Sequence, residues 1–461
     1  MDQSSQNPAA MTATERRAAF SLAGIYALRM LGLFMILPVF SLYAHDLKGA
    51  TPALIGLAIG IYGMTQAILQ IPFGLLSDRI GRKPVIVFGL LVFAAGSVVA
   101  AAATDMHWVI AGRALQGAGA IAAAVMALTA DLTREEHRVK AMAIIGMTIG
   151  ASFAVAMVLG PVLNGWIGVP GIFWLTAVLA VGGIGVVAWV VPSPVVSRVH
   201  RDAEPVPAQF AAVLKDGQLL RLDFGILTLH LILTASFVVL PLALRDLAGL
   251  AETKHWEVYL PVLLLSLPAA IPFIIQAEKH RRMKQVFVGA IAVIALAEFG
   301  LYEVHATVLG IGVMLFVFYA GFNLLEAILP SLIAKMAPPD SKGTAMGFYS
   351  SSQFLGAFLG GSLGGWLYGR FGLDSVFLFC AVAAVLWLAV AAGMRNPSYL
   401  SSRLLRVEVT DPEAARRLAR RITAVPGVAE AVVIPEDGVA YLKVDSGALD
   451  EAALEAAAAG A

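Results

Sequence analysis

The sequence predicts an all-α membrane protein of twelve transmembrane helices in two six-helix halves, followed by a small soluble α+β domain. Three observations carry this expectation. Hydrophobic residues make up 59% of the 461, and mean hydropathy is +0.82, where soluble chains sit at about 45–50% apolar. Twelve apolar runs are long enough to cross a bilayer, and a polar break falls after the sixth. Near residue 403 the composition turns to that of a water-soluble domain.

The runs lie at about 18–44, 52–76, 84–103, 107–130, 139–164, 170–191, 221–247, 256–277, 285–303, 306–334, 343–368 and 372–394. The break at 192–220 carries Pro192, Pro194, Pro205 and Pro207. The expected units are therefore a first half (1–191), a linker (192–220), a second half (221–396) and a tail domain (403–461). Arg16 and Arg17 precede a first apolar run too long for a signal-peptide core, which reads as a retained membrane helix. With the N-terminus in the cytoplasm, 18 Lys and Arg residues fall in the inner loops and 4 in the outer ones. That asymmetry puts both ends of the chain in the cytoplasm.

The composition also excludes several function classes. A net charge of +1 gives no sign of a nucleic-acid partner. The one cysteine, Cys380, allows neither an internal disulfide nor a cysteine-based metal site. There is no phosphate-binding G-x-x-x-x-G-K-[ST] loop and no catalytic constellation, so no cofactor, metal or enzymatic activity is expected. The one partner that composition itself implies is the lipid bilayer.

The two halves repeat each other. GPVLNGWI (160–167) matches GGSLGGWL (360–367), IFWLTAV (172–178) matches VFLFCAV (376–382), and VKAMAI (139–144) matches GTAMGF (343–348). The basic loop after span 2 has a counterpart after span 8, AEKHRRMK (277–284). Two six-helix halves in a parallel repeat are the architecture of the major facilitator fold.

Between spans 2 and 3 stands GLLSDRIGRKP (74–84), with four ionised residues between two uncharged runs. It resembles the major facilitator signature G-x-L-x-D-R-x-G-R-K through Gly74, Leu76, Asp78, Arg79, Gly81, Arg82 and Lys83. Gly81 permits the tight turn, and Asp78 sits beside the membrane, where a carboxylate needs partners. Simple anchoring explains the cations but not the aspartate or the two glycines. The resemblance implies a cytoplasmic gate that latches the halves together, and Asp131, at the end of span 4, is the expected acidic partner of Arg82. Span 4 carries GRALQGAGA (112–120), which resembles a second family motif in Arg113, Gln116 and Gly117. The resemblance implies proton coupling or helix-to-helix bonding there; the alternative is an Arg113 that snorkels to the outer interface. Span 5 ends in GPVLNG, similar in Gly160 and Pro161 to the family's antiporter motif, with Asn164 in place of a glycine. The alternative is a close-packing small-residue face.

Further polar residues inside the spans mark an expected substrate or proton path: Arg29 in span 1, Tyr62, Gln66 and Gln70 in span 2, His230 in span 7, and Tyr349 and Gln353 in span 11. Tyr319, Asn323 and Glu326 fall on one face of span 10. Glu326 is the favoured proton carrier, because a carboxylate that alternates between water and a dry pocket can change its affinity for protons. Glu298 in span 9 is less suited, since the fold implies a peripheral place for that helix.

In the tail, RLLRVEV (403–409) reads as a strand and DPEAARRLARRITAV as a helix capped by Asp411 with Pro412 at its first position. GVAEAVVI and GVAYLKVD read as strands and LDEAALEAAAA as a closing helix. The βαββα order suggests a ferredoxin-like domain. VPGVAEAVV resembles heavy-metal-associated domains, but their Cys-x-x-Cys ligands are absent. The domain is open to two readings, an assembly module or the site of a regulatory ligand or partner. Taken together, these stretches resemble bacterial major facilitators of the drug:proton antiporter type. The resemblance implies a proton-coupled exporter; the alternatives are a metabolite importer and a non-transporting membrane sensor.

Overall fold

The computed structural model describes residues 10–194, 203–409, 411–445 and 447–459. The linker residues 195–202, with Arg198 and Arg201 of the inner-loop count, lie outside the described residues. Ten helices are long and apolar enough to cross a membrane among the described residues. The sequence's twelve spans reconcile with this number in two ways. The 51-residue helix α7 (Glu135–Gly185) contains spans 5 and 6, divided at Gly168, whose φ of 66° is non-helical. Helix α13 (Lys342–Phe371) is 30 residues long, but its Gly, Ser and Gln content keeps its hydropathy low.

The first half runs α1 (Ala13–Phe34), a short α2 (Phe40–Ala44), α3 (Pro52–Ile80), α4 (Arg82–Ala101), α5 (Met106–Ala118), α6 (Ala122–Leu132) and α7. Thr12 caps α1 in a capping box with Glu15, and Thr51 caps α3 ahead of Pro52. Span 4 breaks between α5 and α6, where Gly119, Ala120 and Ile121 leave the helical hydrogen-bond ladder. The second half holds α8 (Phe210–Val213), α9 (Gly217–Leu242), α10 (Trp256–Glu278), α11 (Met283–Val304), α12 (Val308–Met336), α13 and α14 (Asp374–Ala392). Span 7 thus starts at Gly217 behind the cap Asp216, four residues before the position expected from hydropathy. Large apolar side chains such as Trp166, Trp189 and Leu309 stand on the outside, as lipid contact requires.

The halves meet most closely along α3 and α13. A Cβ built on Gly60 would lie 2.7 Å from the Phe358 carbonyl, and one on Gly365 would lie 2.8 Å from Gly56 Cα. The glycines let the two backbones touch. Further along, Gln70 Nε2 donates to Ser351 Oγ (2.8 Å), and Ser351 Oγ donates to the Ala67 carbonyl (3.1 Å). The helix pair is closed at both ends. The face of the bundle that carries residues 78–83 and 279–284 is termed the basic face below.

The tail holds β1 (Ser401–Arg406), α15 (Pro412–Thr423), β2 (Val428–Ile434), β3 (Val439–Val444) and α16 (Glu451–Ala459). The sheet is antiparallel in the order β1-β3-β2. Leu418, Ile422, Leu442 and Leu454 fill its core. The domain touches the second half through Lys443 Nζ, which donates to the Lys335 carbonyl (2.8 Å), and in the segment just before it the Met283 amide donates to Tyr399 Oη (2.9 Å).

Candidate functional site

The turn between α3 and α4 depends on Gly81, whose φ of 99° favours glycine. It places Arg82, the first residue of α4, back over the end of α3. Its Nη1 donates to Asp78 and to Ser77 Oγ (2.8 Å), and its Nε pairs with Asp131 Oδ2 at 3.4 Å. The expected pairing of Arg82 with Asp131 is therefore present. Gly74 admits α6, which carries Asp131, since a Cβ there would stand 2.9 Å from that of Ala123. Lys83 turns away and donates to the Val191 carbonyl (2.6 Å) and Ser193 Oγ (3.0 Å). Arg79 is exposed.

A third carboxylate completes this cluster. Arg82 Nη2 donates to both oxygens of Glu204, at 2.9 Å each. Glu204 lies in the linker and is buried. One guanidinium so faces three carboxyls. Burial pushes the Glu204 carboxyl up from its ordinary 4.5, with Asp78 adding to the rise and Arg82 opposing it. A raised value in the cluster means that the linker's docking is fully supported below 4.5 and weakens as pH rises through the raised value. Hydrogen–deuterium exchange should therefore show residues 203–209 less protected at high pH than at low pH. The loss is at most about 1.4 kcal/mol per pH unit.

Deeper in the first half, two arginines are buried. Arg29 donates to Gln66 Oε1 (2.7 Å) and to the Gly119 carbonyl (3.1 Å). The break in span 4 takes that carbonyl out of the regular helical ladder, and it also accepts from the Ile121 amide (3.0 Å). The Arg29 guanidinium also lies over the rings of Tyr62 (5.6 Å) and Phe93 (5.3 Å). Arg113 does not snorkel: it is 4% exposed. It donates to Gln116 Oε1 (2.8 Å) and the Ala58 carbonyl (3.2 Å), and Gln116 donates in turn to Ser97 Oγ (2.8 Å). This network ties α5 to α3 and α4. Gly117 lets α5 press on α3 beside Thr65 and Tyr62. Arg113→Met should lower stability by about 3 kcal/mol, because it strands the Gln116 side chain. Thermal unfolding of the purified protein measures this loss.

Gly160 and Pro161 sit where α7 crosses the irregular end of span 1. A Cβ on Gly160 would meet the Met35 carbonyl and stand 2.9 Å from Pro38. In the second half, His230 Nε2 bonds the Gln353 amide (2.8 Å) and lies 3.7 Å from Glu326 Oε1. Glu326 Oε1 has no hydrogen-bond partner among the described residues. Asn323 leaves this group: its Nδ2 donates to Ser266 Oγ of α10 at 3.1 Å. The single face drawn for Tyr319, Asn323 and Glu326 is split between two neighbours, because α12 is packed on both sides.

Two further acids sit in the interior. Glu298 is fully buried and accepts from Ser236 Oγ of α9 (3.0 Å), so α11 points inward at this level and not only to the periphery. Asp223 is buried with one oxygen unpartnered among the described residues. Glu204 and Asp223 escape a sequence reading because one lies in a linker and the other at the mouth of an apolar run. A cavity of about 990 Å³ opens elsewhere, between α10, α11 and α12, lined by Phe273, Gln276, Arg282, Val293 and Phe316. It contains none of the polar path.

Family comparison agrees with this architecture. The family model of the Major Facilitator Superfamily matches residues 22–331 and 224–425, and that of the YajR YAM domain matches residues 405–459. The chain is 51% identical over 437 residues to the inner membrane transport protein YajR of Escherichia coli, covering 95% of this chain and 96% of that one. It is 27% identical over 344 residues to the multidrug resistance protein MdtH of Edwardsiella ictaluri, covering 74% of this chain and 83% of that one. A bacterial homolog of the lysosomal transporter Spinster, solved inward-facing and occupied, superposes with a TM-score of 0.69 at 14% identity, covering 83% of this chain and 97% of that one. The chain belongs to the major facilitator superfamily of transporters, in the YajR group that carries this C-terminal domain.

Proposed function

We propose that this transporter exports a small molecule across the bacterial inner membrane in exchange for protons, by alternating access. The observation that carries the proposal is the His230–Gln353–Glu326 group, with a carboxylate oxygen that has no hydrogen-bond partner among the described residues, inside the second half. Such a group can take up and release a proton as the interior is exposed to either side. Arg29 and Gln66 supply the fixed polar surface of the first half, against which a substrate is held. The likeness to the YajR and MdtH proteins supports the inner-membrane setting and the drug-type substrate class.

In this reading the basic face is cytoplasmic, and Asp78, Arg82 and Asp131 order the first half's side of its closure. Arg82→Ala strands the buried Asp131 and Glu204 carboxyls, which costs about 3–5 kcal/mol; Asp78→Asn leaves Arg82 two other carboxyls and costs less, about 1.5 kcal/mol, and each 1.4 kcal/mol is a factor of about ten in a population. Asp78→Asn and Arg82→Ala should each lower transport about tenfold or more while membrane insertion and yield stay normal. Transport assays beside a surface-expression blot check both.

The test of the substrate class is a thermal-stabilisation screen of the purified protein with amphiphilic drug-like compounds and polar metabolites. Ligand binding to the folded state raises its melting temperature. The expected hits are amphiphiles, with the shift lost in Arg29→Ala; hits among polar metabolites alone would point to an importer.

A further inference from the structure

Asp78, Arg82 and Asp131 all belong to the first half, so their pairing by itself joins nothing to the second. The linker supplies the missing connection. Glu204 takes Arg82 Nη2 on one side. On its other side the same residue's backbone seats on Gly343, at the start of α13, where a Cβ would stand 2.8 Å from the Ala203 carbonyl carbon and closer still to Glu204 itself. The next residues continue the seat. Pro205 rests on Gly347, 2.9 Å from the place a Cβ would take. The Val206 amide donates to Thr344 Oγ1 (2.9 Å), which donates to Gln209 Oε1 (2.7 Å). Gln209 Nε2 donates to the Asp340 carbonyl (2.8 Å). Glu204, Gln209 and Thr344 are all buried. A solvated tether between two halves has no need of buried polar side chains matched on both flanks.

We propose that residues 203–209 form a clasp across the basic face: Glu204 grips Arg82 of the first half while its backbone sits on Gly343 and Thr344 of the second, so this face opens only when the clasp lets go. Glu204 is a positioning residue, acting on the transport cycle through Arg82. The proposal rests on the alternating-access reading.

The test measures the opening of the basic face directly. Cysteines placed at the exposed Lys140 and Lys279, at the basic-face ends of α7 and α10, carry spin labels in the full-length protein reconstituted in nanodiscs; the buried Cys380 stays unlabelled. Pulsed dipolar spectroscopy then reads the populations of short and long distances. Glu204→Ala, which removes the grip, and Gly343→Val, which fills the seat from the other side, should each raise the long-distance population about threefold or more. Their combination should go no further than the stronger of the two, since both release one contact. Glu204→Gln still accepts from Arg82 and should keep the wild-type distribution. Melting curves confirm that each variant is folded. An unchanged distribution in a folded Glu204→Ala protein overturns the clasp while Asp78→Asn still shifts it. A single distance in every variant, Asp78→Asn included, counts instead against alternating access.

Discussion

Glu326→Gln should abolish proton-driven accumulation of substrate while leaving substrate binding in place. Gln has the shape of the protonated acid and cannot release a proton. With one proton exchanged per substrate, a pH difference of one unit sustains about a tenfold concentration ratio, or about 1.4 kcal/mol. The variant should show a ratio of one, yet still exchange labelled for unlabelled substrate across a vesicle wall. The geometry supports placing the effect here. Glu326 Oε1 lacks a hydrogen-bond partner among the described residues, His230 Nε2 lies 3.7 Å away, and Gln353 Nε2 bonds that same ring nitrogen while Nδ1 faces the Ile226 carbonyl (3.3 Å). A retained tenfold ratio would move the proton site to another buried acid. Asp223 and Glu298 are the next groups to vary: each has one oxygen unpartnered among the described residues, and the other oxygen of Glu298 accepts from Ser236.

The second large effect is expected where α3 meets α13. Gly361→Leu should separate the helices, because the new Cβ would stand 2.6 Å from the Gly56 carbonyl and 2.8 Å from the Gly60 nitrogen. These are backbone atoms, which yield only if the whole helix moves. Overpacking of this kind costs about 1–3 kcal/mol even where side chains can adjust. The predicted result is loss of transport together with opening of the bundle face opposite the basic one. Thiol labelling of a cysteine at Ile55, which is 3% exposed in the closed pair, should rise at least about tenfold, as expected for a shift of about 1.4 kcal/mol. Gly289→Leu is the control: nothing lies within 4 Å of its Cβ position, so transport and labelling should stay at wild-type levels. Equal effects from the two substitutions would contradict a specific role for the α3–α13 contact.

Much of this architecture is legible in the sequence because a bilayer restricts what apolar runs can do. Spans of membrane length must be helices, the charge asymmetry marks the basic face, and the matched GPVLNGWI and GGSLGGWL stretches fall on spans 5 and 11 of the two halves. The pairing of Arg82 with Asp131 follows from two charged ends that share a face. The tail's strand and helix order follows from capping and alternation, although β1 begins at Ser401 and not at 403. What stays hidden depends on contacts distant in sequence. Glu204 reads as one polar residue in a polar linker until Arg82 is placed beside it. Helical spacing puts Asn323 on the Glu326 face, and only the position of Ser266 draws it toward α10. Arg113 near a helix end suggests snorkelling, but the carbonyls of α3 and the Gln116 side chain satisfy it inside. The low hydropathy of α13 reflects a helix selected for backbone contact, since its glycines face α3 and α9.

The central claim is proton-driven export, and the most direct measurement uses inside-out membrane vesicles loaded with the chain. An acid interior is imposed, and uptake of a compound found by thermal stabilisation is followed. The account predicts accumulation that follows the pH gradient, collapses on adding a protonophore and is absent with Glu326→Gln. Uptake that ignores the gradient, or substrate leaving the vesicles as protons leave them, would contradict it.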